Sequence, residues 1–127
     1  MYYLIIAGGR DFNDYPLLEQ TVDQFLKNVH DKVTIFCGEA SGADSLGERY
    51  ALARGYAIQY FPPDWRRYGR AAGPVRNQKM AENADALVAF WDGTSRGTGN
   101  MIEAARRRQL AIQIQRYDGQ KESGDRE

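Results

Sequence analysis

The sequence predicts an α/β protein: a mostly parallel five-stranded sheet with helices on both faces. Short apolar runs rich in β-branched and aromatic residues occur at 2–7, 32–37, 56–61, 86–91 and 111–115, and the first is continuous rather than alternating, as in a strand buried on both faces. The segments between them place apolar residues at helical spacing, and glycine or proline punctuates most of the junctions. Strands that alternate with helices imply right-handed βαβ units and therefore parallel pairing.

Residues 2–7 (YYLIIA) form the first strand, stopped by Gly8 and Gly9. A helix follows on Leu18, Val22, Phe25, Leu26 and Val29, with Pro16 near its first position, where the missing N–H does no harm. The strand at 32–37 stops at Gly38, and the helix over 42–54 carries Ala43, Leu46, Tyr50 and Ala53 on one face before Gly55 caps it. Pro62 and Pro63 end the strand at 56–61. A helix with a thin apolar stripe, Ala81 and Ala84, is placed over about 74–83. The strand at 86–91, a helix over 98–108 and a strand at 111–115 complete the pattern, and residues 117–127 (YDGQKESGDRE) read as a disordered tail after a domain of 1–116.

At 127 residues, 43% hydrophobic and 27% charged, the chain has the composition of an ordinary globular domain. Its 17 basic and 17 acidic residues cancel, which argues against duplex nucleic acid or an anionic membrane as main partner. The balance is not local: between Pro62 and Lys79 lie Arg66, Arg67, Arg70, Arg76 and Lys79 against Asp64 alone, which suits a small anionic ligand. Cys37, the single cysteine, sits in an apolar strand and reads as a buried small hydrophobe, and a reducing, cytoplasmic setting is expected. No apolar run approaches the ~20 residues of a membrane span.

In this architecture a ligand binds outside the carboxyl ends of the strands, where strand order reverses. For the order 3-2-1-4-5 that point lies between the first and fourth strands, so Gly8, Gly9 and Arg10 should face the loop that follows Trp91. That loop offers Gly93, Thr94, Ser95, Gly97, Thr98, Gly99 and Asn100, a glycine-rich lead into a helix N-terminus whose N–H groups and dipole favour an anion. The turn after the second strand adds Gly38, Glu39, Ser41, Gly42 and Asp44, with Asp44 either a helix-terminus charge or a ligand for ribose hydroxyls. It matches neither a Walker A loop nor GxGxxG. Arg76 and Asn77 fall in the first turn of their predicted helix, where a cation opposes the dipole unless an anion is present, making Arg76 the foremost candidate contact. Glu103 is the one candidate acid or base on the last helix, against the plainer role of a helix-stabilising charge. No residue group suggests a metal or a fixed cofactor.

Four motifs in order, AGGRDF at 7–12, GEASGAD at 38–44, GPVRNQKM at 73–80 and DGTSRGTGNMI at 92–102, resemble the SLOG superfamily, and its YspA-like branch in particular. The resemblance covers residues 3 to about 115 and implies a Rossmann-like three-layer fold that binds a nucleotide or nucleotide-derived ligand of NAD or ADP-ribose type. It also implies a homo-oligomer, to which Tyr15, Trp65 and Tyr68 could contribute a surface. Within the superfamily, LOG enzymes cleave the N-glycosidic bond of nucleoside monophosphates with an arginine and a glutamate, to which Arg76 and Glu103 correspond in order. This chain lacks the proline of their PGG loop and carries Glu103 at a different spacing. DprA, a binder of single-stranded DNA, resembles the GEASGAD turn. The readings are thus a nucleotide-binding module or sensor first, an N-glycosidic hydrolase second and a single-stranded DNA binder third.

Overall fold

The computed structural model describes residues 1–38 and 42–118. Its strands are β1 (Tyr2–Gly8), β2 (Val33–Cys37), β3 (Ala57–Tyr60), β4 (Ala86–Trp91) and β5 (Ala111–Arg116). Its helices are α1 (Tyr15–Leu26), α2 (Ala43–Arg54), α3 (Trp65–Tyr68), α4 (Ala72–Asn83) and α5 (Arg96–Arg107), with a 3-10 turn at Gly69–Ala71. The strands form one sheet in the order β3-β2-β1-β4-β5, and every neighbouring pair is parallel. The fold is the Rossmann-like α/β architecture the sequence predicts.

Alternation along the central strands divides the core in two. Leu4 and Ile6 of β1 join Val88 and Phe90 of β4 under α1 and α2, packed against Leu18, Val22, Tyr50 and Ala51. Ile5 and Ala7 point the other way, with Leu87 and Ala89, onto Met80 and Ala81 of α4 and Met101, Ile102 and Ala105 of α5. Burial of each such Leu or Ile is worth about 1.5–3 kcal/mol, so the two layers hold β1 and β4 in a fixed register.

Local signals set most boundaries. Asp14 accepts the Leu17 N–H at 3.1 Å and starts α1, and Gly55, at φ 73°, closes α2 by donating to Ala51 and Leu52. The α2 stripe differs from expectation: Ala43, Gly47, Tyr50 and Ala51 face inward, whereas Leu46 is half-buried and Ala53 exposed. Gly47 explains the rotation, because a Cβ there would lie 3.0 Å from Ile6 Cγ2; the bare backbone brings the helix close to the sheet on that face.

The short α3 has no apolar period to betray it; Asp64 nucleates it by accepting the Arg67 N–H at 3.1 Å. Helices α4 and α5 each start two residues sooner than predicted, so Arg76 lies beyond the first turn of α4. Tyr15 is half-buried rather than on the surface, packed on the α1–α2 core with Arg49 stacked over its ring at 3.9 Å. Tyr117, assigned to the tail, is held in place: its N–H donates to Trp91 O at 3.2 Å, its hydroxyl to Asp11 at 2.6 Å, and its ring meets Phe12 edge-on at 4.9 Å. The rest of the expected tail from residue 119 lies outside the described residues. Among the described residues no helix is long and apolar enough to cross a membrane.

Candidate functional site

Because β1 and β4 are neighbours whose crossover helices leave on opposite faces, their carboxyl ends open a cleft, and two adjoining cavities occupy it. The inner one, about 460 Å³, is walled by Gly8, Gly9 and Arg10 on one side and Ser95, Gly97 and Thr98 on the other. Met80 and Met101 line it, and Asp11, Asp44 and Asp92 supply carboxylates. The outer one, about 700 Å³, shares Arg10, Arg76, Asn77 and Gly97 with it and extends to Trp65, Arg70, Arg96 and Asn100. Arg76 and Asn77 therefore stand in the wall common to both.

Their positions are fixed by hydrogen bonds and not by a helix terminus. The Arg76 guanidinium donates from Nη1 to Gly38 O and, at 3.4 Å, to Phe61 O, and from Nε to Asn77 Oδ1 at 2.9 Å. Buried Asn77 passes the tie to α5, donating to Asn100 Oδ1 at 2.9 Å and to Gly97 O at 3.4 Å. The Arg76 guanidinium thus pins the ends of β2 and β3 to α4, and Asn77 pins α4 to α5. Burial lowers the Arg76 pKa from its ordinary value; Asp44 opposes that shift and neighbouring Arg10 adds to it. Arg10 and Arg76 are like charges at one cavity wall, an arrangement that an anion between them would relieve.

The glycines at the strand ends make room for the protein's own atoms. A Cβ on Gly38 would fall 2.4 Å from Arg76 Nη1, and one on Gly8 2.6 Å from Phe90 O and 2.7 Å from Ala43 Cβ. Gly42 combines φ 72° with a Cβ position 2.2 Å from Gly9 O. These glycines bring β1, β2 and α2 close enough to form the cleft, which is a different task from clearing space for a ligand.

The loop after β4 is also partly occupied from within. Asp92 Oδ1 accepts the N–H groups of Thr94 and Ser95 at 2.9 and 2.8 Å, so these two donors face an internal carboxylate. Trp91 Nε1 donates to Ser95 O at 3.0 Å and anchors the far side. The donors left to the cleft are those of Arg96, Gly97 and Thr98, the first three residues of α5, whose N–H groups have no intrahelical acceptor; the first i−4 bond runs from Gly99 to Ser95.

Of the residues singled out from the sequence, Gly8, Gly9, Arg10, Asp44, Arg76, Asn77, Ser95, Gly97 and Thr98 meet at the inner cavity, and Gly38 and Asn100 at the outer. Gly93, Thr94 and Gly99 shape the loop from outside: Gly93, at φ 90°, accommodates Arg116, and Gly99 backs onto Trp91. Gly42 supports the wall from behind, and Glu39 and Ser41 lie outside the described residues. Glu103 does not join the cleft. It is exposed, and seven residues from the start of α5 it stands ~10 Å down the helix axis from the loop. Sequence reasoning missed Arg96, Asp92 and Asp11 as cleft-lining groups. Arg70, from the basic segment that suited a small anionic ligand, and Trp65 line the outer cavity. Among the described residues no three His, Cys, Asp or Glu side chains gather where they could hold a metal ion.

Comparison with known proteins gives three findings. The model of the YAcAr family, described as YspA, cpYpsA-related SLOG, matches residues 3–68, just over half of the chain, and so spans the turns after β1 and β2. DNA processing protein A (DprA) from Streptococcus pneumoniae superposes with a TM-score of 0.67 at 15% identity over 89% of this chain and 49% of DprA, so this chain spans about half the length of that one. TM1055, a structural-genomics target, superposes with a TM-score of 0.63 at 17% identity over 88% of this chain and 72% of its own. At such identities the likeness is one of fold. No curated protein matches the chain.

Proposed function

The chain belongs to the YspA, cpYpsA-related SLOG family, and on that premise we propose that it binds a nucleotide or nucleotide-derived ligand, of NAD or ADP-ribose type, in the cleft at the ends of β1 and β4 as a sensor or binding module. One observation carries the reading: Arg76, half-buried and tied to Gly38 and Phe61, lines both cavities together with Arg10 and with Gly97 of the α5 N-terminus. A guanidinium so placed grips phosphate, and the first-turn N–H groups of α5 complete an anion site. Carboxylates at the inner cavity suit sugar hydroxyls.

Hydrolysis of an N-glycosidic bond is the rival reading. It needs a carboxylate against the anomeric carbon. Glu103 is exposed and outside both cavities, which favours binding over turnover. A DNA role, suggested by the name of the DprA neighbour and read from the GEASGAD resemblance as one on single strands, needs successive stacking platforms along a basic groove, and Trp65 is the one aromatic in the lining of either cavity. Calorimetry with nucleoside phosphates, followed by chromatography for released base, separates the three. Saturable binding with no free base is expected; base release abolished in Glu103→Gln would establish the hydrolase, and salt-steep binding of oligonucleotides alone would establish the DNA role.

A further inference from the structure

The two cavities differ in charge. Around the inner one stand Asp11, Asp44 and Asp92 against Arg10 and Arg76. Around the outer one stand Arg10, Arg70, Arg76 and Arg96, with no acidic residue among the described residues that line it. Trp65, 56% exposed, offers an indole at the edge of the outer cavity, flanked by Pro63 and Pro74.

Phosphate is poorly suited to the inner cavity, where three carboxylates would repel it and would accept hydroxyl or amino protons instead. The outer cavity has the opposite character. Four guanidiniums around one space repel one another, and an oxyanion carrying several charges offsets that repulsion while taking up their paired N–H donors. Arg70 and Arg96 line the outer cavity alone, so a single phosphate held by Arg76 on the inner side would leave both unused.

Resting on the nucleotide-binding reading above, we infer that the ligand is a nucleotide bearing at least two linked phosphates, its sugar among the carboxylates of the inner cavity and its phosphate chain passing Arg76 into the outer one against Arg70 and Arg96. Trp65 is then placed to cover whatever the distal phosphate carries. This assigns Arg70, Arg96 and Trp65 to recognition and makes the chain a reader of phosphate number.

The test is calorimetry on the full chain with matched pairs, AMP and ADP, GMP and GDP, CMP and CDP, UMP and UDP, so that the base is not presupposed. For the base that binds, the diphosphate is expected to bind about tenfold or more tightly than the monophosphate, the scale of one added charge-assisted contact. In the Arg70→Ala/Arg96→Ala double variant, both substitutions being at exposed positions, that advantage of diphosphate over monophosphate disappears. Equal affinity for mono- and diphosphate, or an advantage that survives the double substitution, overturns the two-phosphate assignment and leaves the nucleotide reading standing. No binding by any of the eight, nor by NAD or ADP-ribose titrated in the same way, overturns both.

Discussion

A guanidinium with three acceptors already in hand still has N–H groups to spare, and this makes Arg76 both a tie and a receptor. Its acceptors are the carbonyls of Gly38 and Phe61 and the Asn77 side chain, and Gly38 lines the outer cavity, where water can take the place of the lost guanidinium, so the fold should survive its loss. Arg76→Ala is expected to weaken a phosphate-bearing ligand about 10–100-fold, the range for a lost charge-assisted hydrogen bond, with the melting temperature within a few degrees of wild type. Arg76→Lys should recover little of this, because an ammonium lacks the planar fork. Binding unchanged in Arg76→Ala by calorimetry would remove Arg76 from the site. Arg76 was legible in the sequence for a reason the structure replaces: it was chosen as a cation in a first helical turn, yet α4 starts at Ala72 and the contacts to Gly38 and Phe61 hold it. Glu103 was chosen as the acid that follows the glycine loop on its helix and as the counterpart of the LOG glutamate; in the structure it is exposed and lines neither cavity, because position along a helix does not say which way the cleft lies.

At the scale of the elements, the turns after β1 and β2 interlock through glycines, and their backbone geometry can be tested directly. Gly42 and Gly55 have nearly the same φ, 72° and 73°, but a Cβ on Gly42 would meet Gly9 O at 2.2 Å and one on Gly55 nothing within 4 Å. Gly55→Ala should therefore cost about 1–2 kcal/mol of left-handed strain alone, and Gly42→Ala clearly more. Urea unfolding of the two variants measures the difference, and equal losses would mean that the turn after β2 yields without disturbing β1. The strands and the helices α1 and α2 were readable because apolar period and caps are local. Helix α3 was not, since its stabilising contact is a single Asp64 cap in a basic run. Asp92 escaped notice for a similar reason: an acid in a glycine loop reads as solvated until the loop folds back and gives it the Thr94 and Ser95 N–H groups.

Across the whole molecule, two tyrosines stitch distant segments together: Tyr50 of α2 donates to Asp23 of α1, and Tyr117 beyond β5 donates to Asp11 after β1. Burial, and then the hydrogen bond to the carboxylate, raises the pKa of each above its ordinary value. A phenol whose folded pKa is raised gives stability that is complete below the unfolded value of about 10 and is lost as pH climbs past it. Thermal stability should thus fall above about pH 10, and the Tyr50→Phe/Tyr117→Phe double variant should show a shallower decline than wild type; parallel curves would contradict the linkage. The sequence by itself determined the α/β class, the strand order and the place of the cleft, because hydrophobic period and chain alternation are local and the switch point follows from topology. Only the tertiary structure decided which charges share the cleft. Arg10, Arg70, Arg76 and Arg96 come from the turn after β1, the 3-10 turn, α4 and α5, and no spacing along the chain encodes that meeting.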